Sequence, residues 1–223
     1  MPELPLPKTQ VQKWWAGVAA IVVCAVLYSG ASLLTRERAV LIPMFGWEAA
    51  IPFWPQTVWF YLIQYPLLVI AFSACRDPAR CGRFLYAAVI VQALAALIYL
   101  LYPIQIPRPA LPPAGELDAF TAALASAVRS VDAPVNCFPS LHVTSCLLSL
   151  WLIAHERAWF VCCFAIVSAL CIASTLTFKQ HYFIDLPAGA LLAAGGWWMA
   201  GRLSQRQRAA ATGPRHGGKL RSE

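Results

Sequence analysis

The sequence predicts an all-α, polytopic membrane protein with six transmembrane helices in a bundle. Hydrophobic residues make up 60% of the 223-residue chain and charged residues only 12%, whereas a soluble domain has about 25% charged residues. Several apolar runs approach the roughly 20 residues that a helix needs to cross a bilayer. No basic region with interleaved aromatic residues lies outside these runs, so nucleic acid is not an expected partner.

Six apolar runs account for the predicted helices, at residues 14–34, 57–74, 84–102, 140–154, 158–174 and 184–201. The first run is longer than the apolar region of a signal peptide and begins with tryptophans, so we interpret it as a membrane helix. Pro66 predicts a kink in the second run, because proline cannot donate a helical hydrogen bond. Glycines in the sixth run predict close packing against neighbouring helices.

The longest break between the runs, residues 103–139, contains seven prolines. Within it, residues 116–131 predict one interfacial helix between helices three and four. Breaks of this length in compact proteins are often functional. The sequence therefore predicts an N-terminal segment (1–13), a six-helix domain in the membrane (14–202), to which the residues discussed below give a catalytic role, and a basic, disordered tail (203–223), with both end segments in the cytoplasm.

The lysines and arginines predict the orientation of the bundle. Six spans place both termini on one side, and that side holds twelve of the 17 Lys and Arg residues, whereas the opposite loops hold five. The positive-inside rule then places both termini in the cytoplasm. The expected location is a bacterial inner membrane, with the loops after helices one, three and five facing the periplasm.

Three polar segments meet on this periplasmic side. They contain Arg108, then Ser140 and His142, and finally Lys179, His181 and Asp185. The guanidinium of Arg108 suits phosphate oxygens, and Ser140 begins a helix, where free N–H groups favour an anion. Lys179 adds a second positive charge. These residue types predict a phosphate site.

The histidines predict how that phosphate would react. His181 and Asp185 are four residues apart, so on a helical turn the carboxylate reaches the imidazole. His181 would attack phosphorus, His142 would protonate the leaving oxygen, and Asp185 would fix the tautomer of His181. This chemistry requires neither a metal nor an organic cofactor.

These motifs resemble those of the type 2 phosphatidic acid phosphatase superfamily, six-helix lipid phosphatases related in fold to vanadium haloperoxidases. The matching positions are Arg108 and Pro109 for the first motif, Pro139, Ser140, Leu141 and His142 for the second, and Ser174, His181 and Asp185 for the third. The resemblance implies a lipid phosphate substrate in contact with membrane lipids. It also implies catalysis by the two histidines with Asp185.

Three positions depart from the family pattern. Leu101 stands where the family has a lysine, Thr175 where it has an arginine, and Leu141 where it has a glycine. Two phosphate-binding cations are therefore missing, and we hypothesise that Lys179 replaces one of them. The segments His-Tyr-x-Ile-Asp at residues 181–185 and Ile-Pro-Phe-x-Pro at residues 51–55 look more like the branch of inositol phosphorylceramide and sphingomyelin synthases.

The sequence thus predicts a lipid phosphatase that acts at the periplasmic face of the membrane through a phosphohistidine. One alternative is a transferase that moves a phospho-headgroup between lipids, as in the synthase branch. Another is a catalytically silent protein that binds or transports lipid. The sequence predicts neither the identity of the lipid nor the oligomeric state.

Overall fold

The computed structural model of the protein describes residues 9–113 and 115–212, with side chains as far as residue 205. This part of the chain forms nine α-helices and one small two-stranded sheet. They are α1 (Gln10–Thr35), α2 (Gly46–Ala49), α3 (Val58–Leu62), α4 (Gln64–Ala74), α5 (Pro78–Leu101), α6 (Ala119–Val131), α7 (Leu141–Ile153), α8 (Ala158–Thr177) and α9 (Asp185–Thr212), with strands β1 (Val40–Leu41) and β2 (Ile104–Gln105).

Four helical segments of the described chain are long and apolar enough to cross a membrane, which indicates an integral membrane protein. They are α1, α5, α8 and the continuous stretch Pro55–Ala74, which comprises a 3₁₀ turn, α3 and α4. Helix α7 is apolar but has only 13 residues. The number of six spans therefore stays a prediction, as does the interfacial position of α6.

The predicted kink lies in the stretch Pro55–Ala74. Helix α3 ends at Leu62, four residues before Pro66, and α4 begins at Gln64, two residues before it. A proline ring clashes with the carbonyl four residues earlier, which here belongs to Leu62. The Ile63 N–H instead donates to the Phe60 carbonyl at 3.3 Å, a tighter turn than an α-helix makes.

Helix α9 extends further than the sequence predicted. It continues to Thr212, so residues 203–212, predicted as part of a disordered tail, are helical. The arginines, glutamines and alanines of this stretch favour helix, and the glycines of the basic tail come only after it. Residues 1–8 of the predicted N-terminal segment and residues 213–223 of the predicted tail lie outside the described residues.

Helix α5 packs between α1 and α9, and α7 contacts α4, α5, α8 and α9. The two strands pair in parallel, with Val40 opposite Ile104 and Leu41 opposite Gln105. This pairing joins the segment after α1 to the segment after α5. It therefore brings two loops to the end of the bundle where α7 and α9 begin.

The N-termini of α7 and α9 are in direct contact. The Ser140 N–H donates to the Asp185 carbonyl at 3.1 Å, and the Thr144 hydroxyl donates to the Gly189 carbonyl at 2.9 Å. A Cβ atom at Gly189 would collide with the Ser140 carbonyl oxygen and would lie 3.1 Å from Cβ of Val143. Only glycine allows the two helices to approach this closely.

Candidate active site

His181 lies in the short turn that joins α8 to α9. The Thr175 carbonyl accepts hydrogen bonds from the N–H groups of Gln180, at 2.8 Å, and His181, at 3.2 Å. Lys179 has a left-handed backbone with φ of 56°, which reverses the chain after the last turn of α8. The turn therefore presents His181 towards α7 at a fixed angle.

The imidazole of His181 is fixed through one nitrogen. Its Nδ1 lies 2.8 Å from the Cys137 carbonyl oxygen and 3.1 Å from Oδ2 of Asp185. Both neighbours are acceptors, so Nδ1 carries the proton and Nε2 keeps its lone pair. Asp185 is fully buried, and its Oδ2 also accepts the Tyr182 N–H at 2.8 Å. The arrangement leaves Nε2 of His181 as a nucleophile.

His142 lies beside His181, in the first turn of α7. The centroids of the two imidazole rings are 5.8 Å apart, and the ring of Tyr61 packs against His142 with a centroid distance of 4.1 Å. Nε2 of His142 is buried and has no hydrogen-bond partner. A buried nitrogen without a partner is unusual in a folded protein, so it is available to a bound ligand.

Arg108 is connected to His142 through two other side chains. Its guanidinium donates to the carbonyls of Asp132, at 2.5 Å, and Ala133, at 3.3 Å, and lies 3.8 Å from the Asp132 carboxylate. That carboxylate accepts the hydroxyl of Tyr61 at 2.7 Å, and the ring of Tyr61 contacts His142. The orientation of Arg108 is therefore coupled to the position of the histidine.

Ser140 and Lys179 are buried at the same end of the bundle. The Ser140 hydroxyl accepts the Val143 N–H at 3.4 Å and so caps α7, as predicted for a serine at a helix start. The Lys179 ammonium donates to the Glu48 carbonyl at 2.9 Å and borders a small cavity together with His181. Burial lowers the pKa of Lys179, and the charge of Glu48 opposes that change.

The departures from the family motifs have separate structural roles. Leu101 is 64% exposed at the end of α5 and Thr175 is fully buried, with its carbonyl shaping the turn before His181. Leu141 packs beside the small cluster formed by Ala95 and Tyr99. The side chains at these three positions add no charge to the site.

Sequence reasoning missed four contributors to this geometry. They are Glu48, Tyr61, Asp132 and the Cys137 carbonyl. Glu48 accepts the N–H groups of Phe183, at 2.6 Å, and Phe45, at 3.1 Å, and so holds α2 against the turn that carries His181. Glu48 and Asp132 are isolated acids in apolar or proline-rich segments, and that rarity is the signal that could have identified them.

Among the side chains described in residues 9–113 and 115–205, no three of His, Cys, Asp or Glu lie close enough together to hold a metal ion. The paired imidazoles, the carboxylate and the nearby cations suit the handling of a phosphate group.

Comparison with known proteins connects this geometry to a family. No match to a curated protein is found. Residues 52–199, more than half of the chain, match the model of a family described as PAP2 superfamily. This match confirms the resemblance inferred from the motifs and includes all six predicted site residues, although it does not identify the synthase branch. The chain belongs to the PAP2 superfamily, whose members are usually phosphoesterases or phosphotransferases.

Proposed function

We propose that this protein is a membrane-embedded lipid phosphatase that hydrolyses a phosphate ester at the periplasmic face through a phosphohistidine. The observation that carries the proposal is the His181 imidazole, whose Nδ1 is bound by the Cys137 carbonyl and Asp185. A second imidazole, that of His142, lies 5.8 Å away between ring centroids. Family membership supports chemistry at a phosphoester.

In the first step, the lone pair on Nε2 of His181 attacks phosphorus, and the bond between phosphorus and the lipid oxygen breaks. His142 donates a proton to that oxygen, which leaves as an alcohol. Asp185 stabilises the positive charge that develops on His181. Arg108, Ser140 and Lys179 are the proposed groups around the phosphoryl oxygens.

In the second step, water attacks the phosphorus of the phosphohistidine. His142, now without its proton, takes one from the water, and the bond between phosphorus and Nε2 of His181 breaks. Inorganic phosphate leaves and both histidines return to their starting state. Each histidine thus acts in both steps, and the reaction consumes only the lipid phosphate and one water molecule.

An apolar cavity beside Asp185 supports a lipid as the substrate. It has a volume of about 320 Å³ and reaches Asp185. Its walls are mostly apolar and are formed by Ile42, Pro43, Met44, Phe45, Ile104, Phe138 and Ile184. Tyr182 holds the wall in place, since its hydroxyl donates to the carbonyls of Ile42 and Gln105. A hydrocarbon chain in this cavity would place its phosphate near His181.

The substitution Ile42→Trp tests the cavity by filling it. We expect kcat/KM for dioleoyl phosphatidic acid to fall about tenfold, because burial of about two methylene groups at about 0.8 kcal/mol each would be lost. The rate on dibutyryl phosphatidic acid is expected to stay within about twofold of wild type, since its short chains need little of the cavity. Activity would be measured as phosphate release in detergent micelles.

Leu41→Trp is the matched control for this experiment. Leu41 precedes Ile42 in the chain, does not line the cavity and is 56% exposed. The control variant should keep the wild-type ratio of rates on long and short chains. An equal loss on both substrates in Ile42→Trp would contradict a role for the cavity in binding the chain.

The orientation of the protein in the membrane, with both termini in the cytoplasm, is a separate proposal that rests on the distribution of lysines and arginines. We expect a reporter that is active only in the cytoplasm, fused after Glu223, to be active, whereas one that needs the periplasm should be silent. A cysteine introduced at the exposed Gly46 should react with a membrane-impermeant maleimide in whole cells. The reverse pattern would place the proposed site on the cytoplasmic side.

Headgroup transfer is the second candidate, favoured by the segments at residues 51–55 and 181–185. In that reaction the alcohol of an acceptor lipid replaces water in the second step. Product analysis by mass spectrometry separates the two activities, because a phosphatase releases phosphate from a single lipid. A transferase needs an acceptor lipid, onto which it moves the phospho-headgroup, and it leaves a diacylglycerol-like product without releasing free phosphate. Neither product, over a panel of phospholipids, would indicate the silent lipid-binding protein.

A further inference from the structure

Two arginines, Arg108 after α5 and Arg129 in α6, each donate hydrogen bonds to the backbone of the segment that carries the other. Arg108 donates to the carbonyls of Asp132, at 2.5 Å, and Ala133, at 3.3 Å, which follow α6. Arg129, in the last turn of α6, donates to the carbonyl of Pro109 at 2.6 Å. Each arginine thus bonds to the segment that carries the other. The exchange fixes both guanidinium groups at one junction.

Both guanidinium groups keep buried N–H donors that have no partner. These donors are Nε and Nη2 of Arg129 and Nε of Arg108. Buried polar groups in native proteins are almost always hydrogen-bonded, and exceptions often mark a place where a ligand or water binds. Three such donors at one junction therefore indicate a site for an acceptor with several oxygens.

The charges at this junction do not balance. The carboxylate of Asp132 faces Arg108 at 3.8 Å and accepts the hydroxyls of Tyr28, at 2.5 Å, and Tyr61, at 2.7 Å. No carboxylate in the described part of the chain forms an ion pair with Arg129. Burial, and then the charge of Arg108, lower the pKa of the Arg129 guanidinium, which still remains charged. The junction thus holds two cations and one carboxylate, which pairs with Arg108.

Arg129 also contacts aromatic rings, one of which packs near the ring of Tyr61 beside His142. Its guanidinium is 4.8 Å from the ring centroid of Phe53 and 5.5 Å from that of Phe178. The ring of Phe178 is 5.6 Å from that of Tyr61, which packs against His142 at 4.1 Å. Only two rings therefore separate Arg129 from the general acid of the proposed mechanism.

We propose that Arg129 is a second phosphate-binding arginine, which acts together with Arg108 on the anionic oxygens of the substrate. The inference rests on the proposed function and extends it to a residue outside the three motifs. A phosphate monoester supplies both what the unpartnered donors need, namely several acceptor oxygens, and the missing negative charge. The phosphate of a lipid and free inorganic phosphate share this chemistry, so the experiment must separate them.

The test compares Arg129→Met and Arg129→Lys with the control Arg36→Met. Methionine keeps an unbranched apolar stem, and Arg36 is an exposed arginine at the end of α1, so its loss changes net charge equally. We expect Arg129→Met to raise both KM for dioleoyl phosphatidic acid and the inhibition constant of inorganic phosphate about 10- to 100-fold, the range for loss of charged hydrogen bonds. Arg129→Lys should recover part of this loss, and Arg36→Met should stay within about twofold of wild type.

The inhibition constant of inorganic phosphate separates binding from a purely structural role. An unchanged constant in Arg129→Met, even with a lower melting temperature, would overturn the proposal. An effect on KM of the lipid without an effect on inorganic phosphate would also overturn it, since the residue would then contact another part of the lipid. Thermal unfolding of each variant in detergent shows whether the fold is retained.

A direct binding assay keeps this inference distinct from the proposed function. If the wild type releases no phosphate from any lipid, the proposed function fails, and binding of radiolabelled inorganic phosphate still reports on the arginine pair. Binding by the wild type and by Arg36→Met, with loss in Arg129→Met, would support the pair. Equal binding by all three proteins would refute it.

Discussion

The substitution His181→Ala is expected to lower turnover of dioleoyl phosphatidic acid by about 10³-fold or more, since removal of a nucleophile leaves only binding and electrostatic contributions. The variant should also form no acid-labile phosphoenzyme after brief reaction with a ³²P-labelled substrate. The structural reason is that the described site fixes the tautomer of this ring, through the Cys137 carbonyl and Asp185. Phosphate release and phosphoenzyme would be measured on the same preparation.

His142→Ala should behave differently, because a general acid matters only when the leaving group needs a proton. We expect its rate to fall about 10²- to 10⁴-fold with an alkyl phosphate. With p-nitrophenyl phosphate, whose leaving group departs as an anion, the fall should be much smaller. His155→Ala is the matched control, since His155 is exposed in the loop between α7 and α8. Wild-type turnover in both His142→Ala and His181→Ala would refute the mechanism.

The substitution Gly189→Ala is expected to lower kcat about 100-fold, because it would displace α7, which carries His142. The added methyl group would collide with the Ser140 carbonyl and would lie 3.1 Å from Cβ of Val143, so α7 and α9 must separate. A displacement of about 1 Å in a catalytic group can reduce the rate about 100-fold. Overpacking of this kind also destabilises a protein by about 1–3 kcal/mol. Turnover and thermal unfolding in detergent would be measured together.

Gly195→Ala is the control for this substitution. Gly195 lies in the same helix, α9, ten residues after Asp185. It is exposed, and a Cβ atom added at this position would meet no other atom within 4 Å. Alanine favours helix over glycine by about 1 kcal/mol, so this variant should be as active as the wild type and equally or more stable. If Gly189→Ala retained full activity, the close contact between α7 and α9 would not control the site.

Most of the architecture could be predicted from the sequence because it depends on local signals. Apolar runs set the positions of α1, α5 and α8, and a serine before an apolar run set the start of α7. The pairing of His181 with Asp185 also follows from spacing, since the two residues belong to a single turn. The continuation of α9 to Thr212 was not predicted, because the tail as a whole is basic and rich in glycine although its first residues favour helix.

The surroundings of the histidines could not be predicted in the same way. The contact between Tyr61 and His142 joins residues 81 positions apart, and the bond from Tyr28 to Asp132 joins residues 104 apart. The bond from Arg129 to the Pro109 carbonyl could not be predicted either, because nothing in the local sequence shows that α6 turns Arg129 towards Pro109. Such contacts depend on how the helices pack, which no local pattern encodes.

The segments before residue 52 lie outside the part of the chain that matches the family, but they form hydrogen bonds with residues inside that part. Strand β1 pairs with β2, Tyr28 donates to Asp132, and Glu48 accepts the Phe183 N–H. A chimera that grafted only residues 52–199 into a relative would therefore lose three sets of hydrogen bonds around its reactive centre. The segment that would have to be grafted to keep these bonds is therefore longer than the segment that matches the family, and it includes α1, β1 and α2.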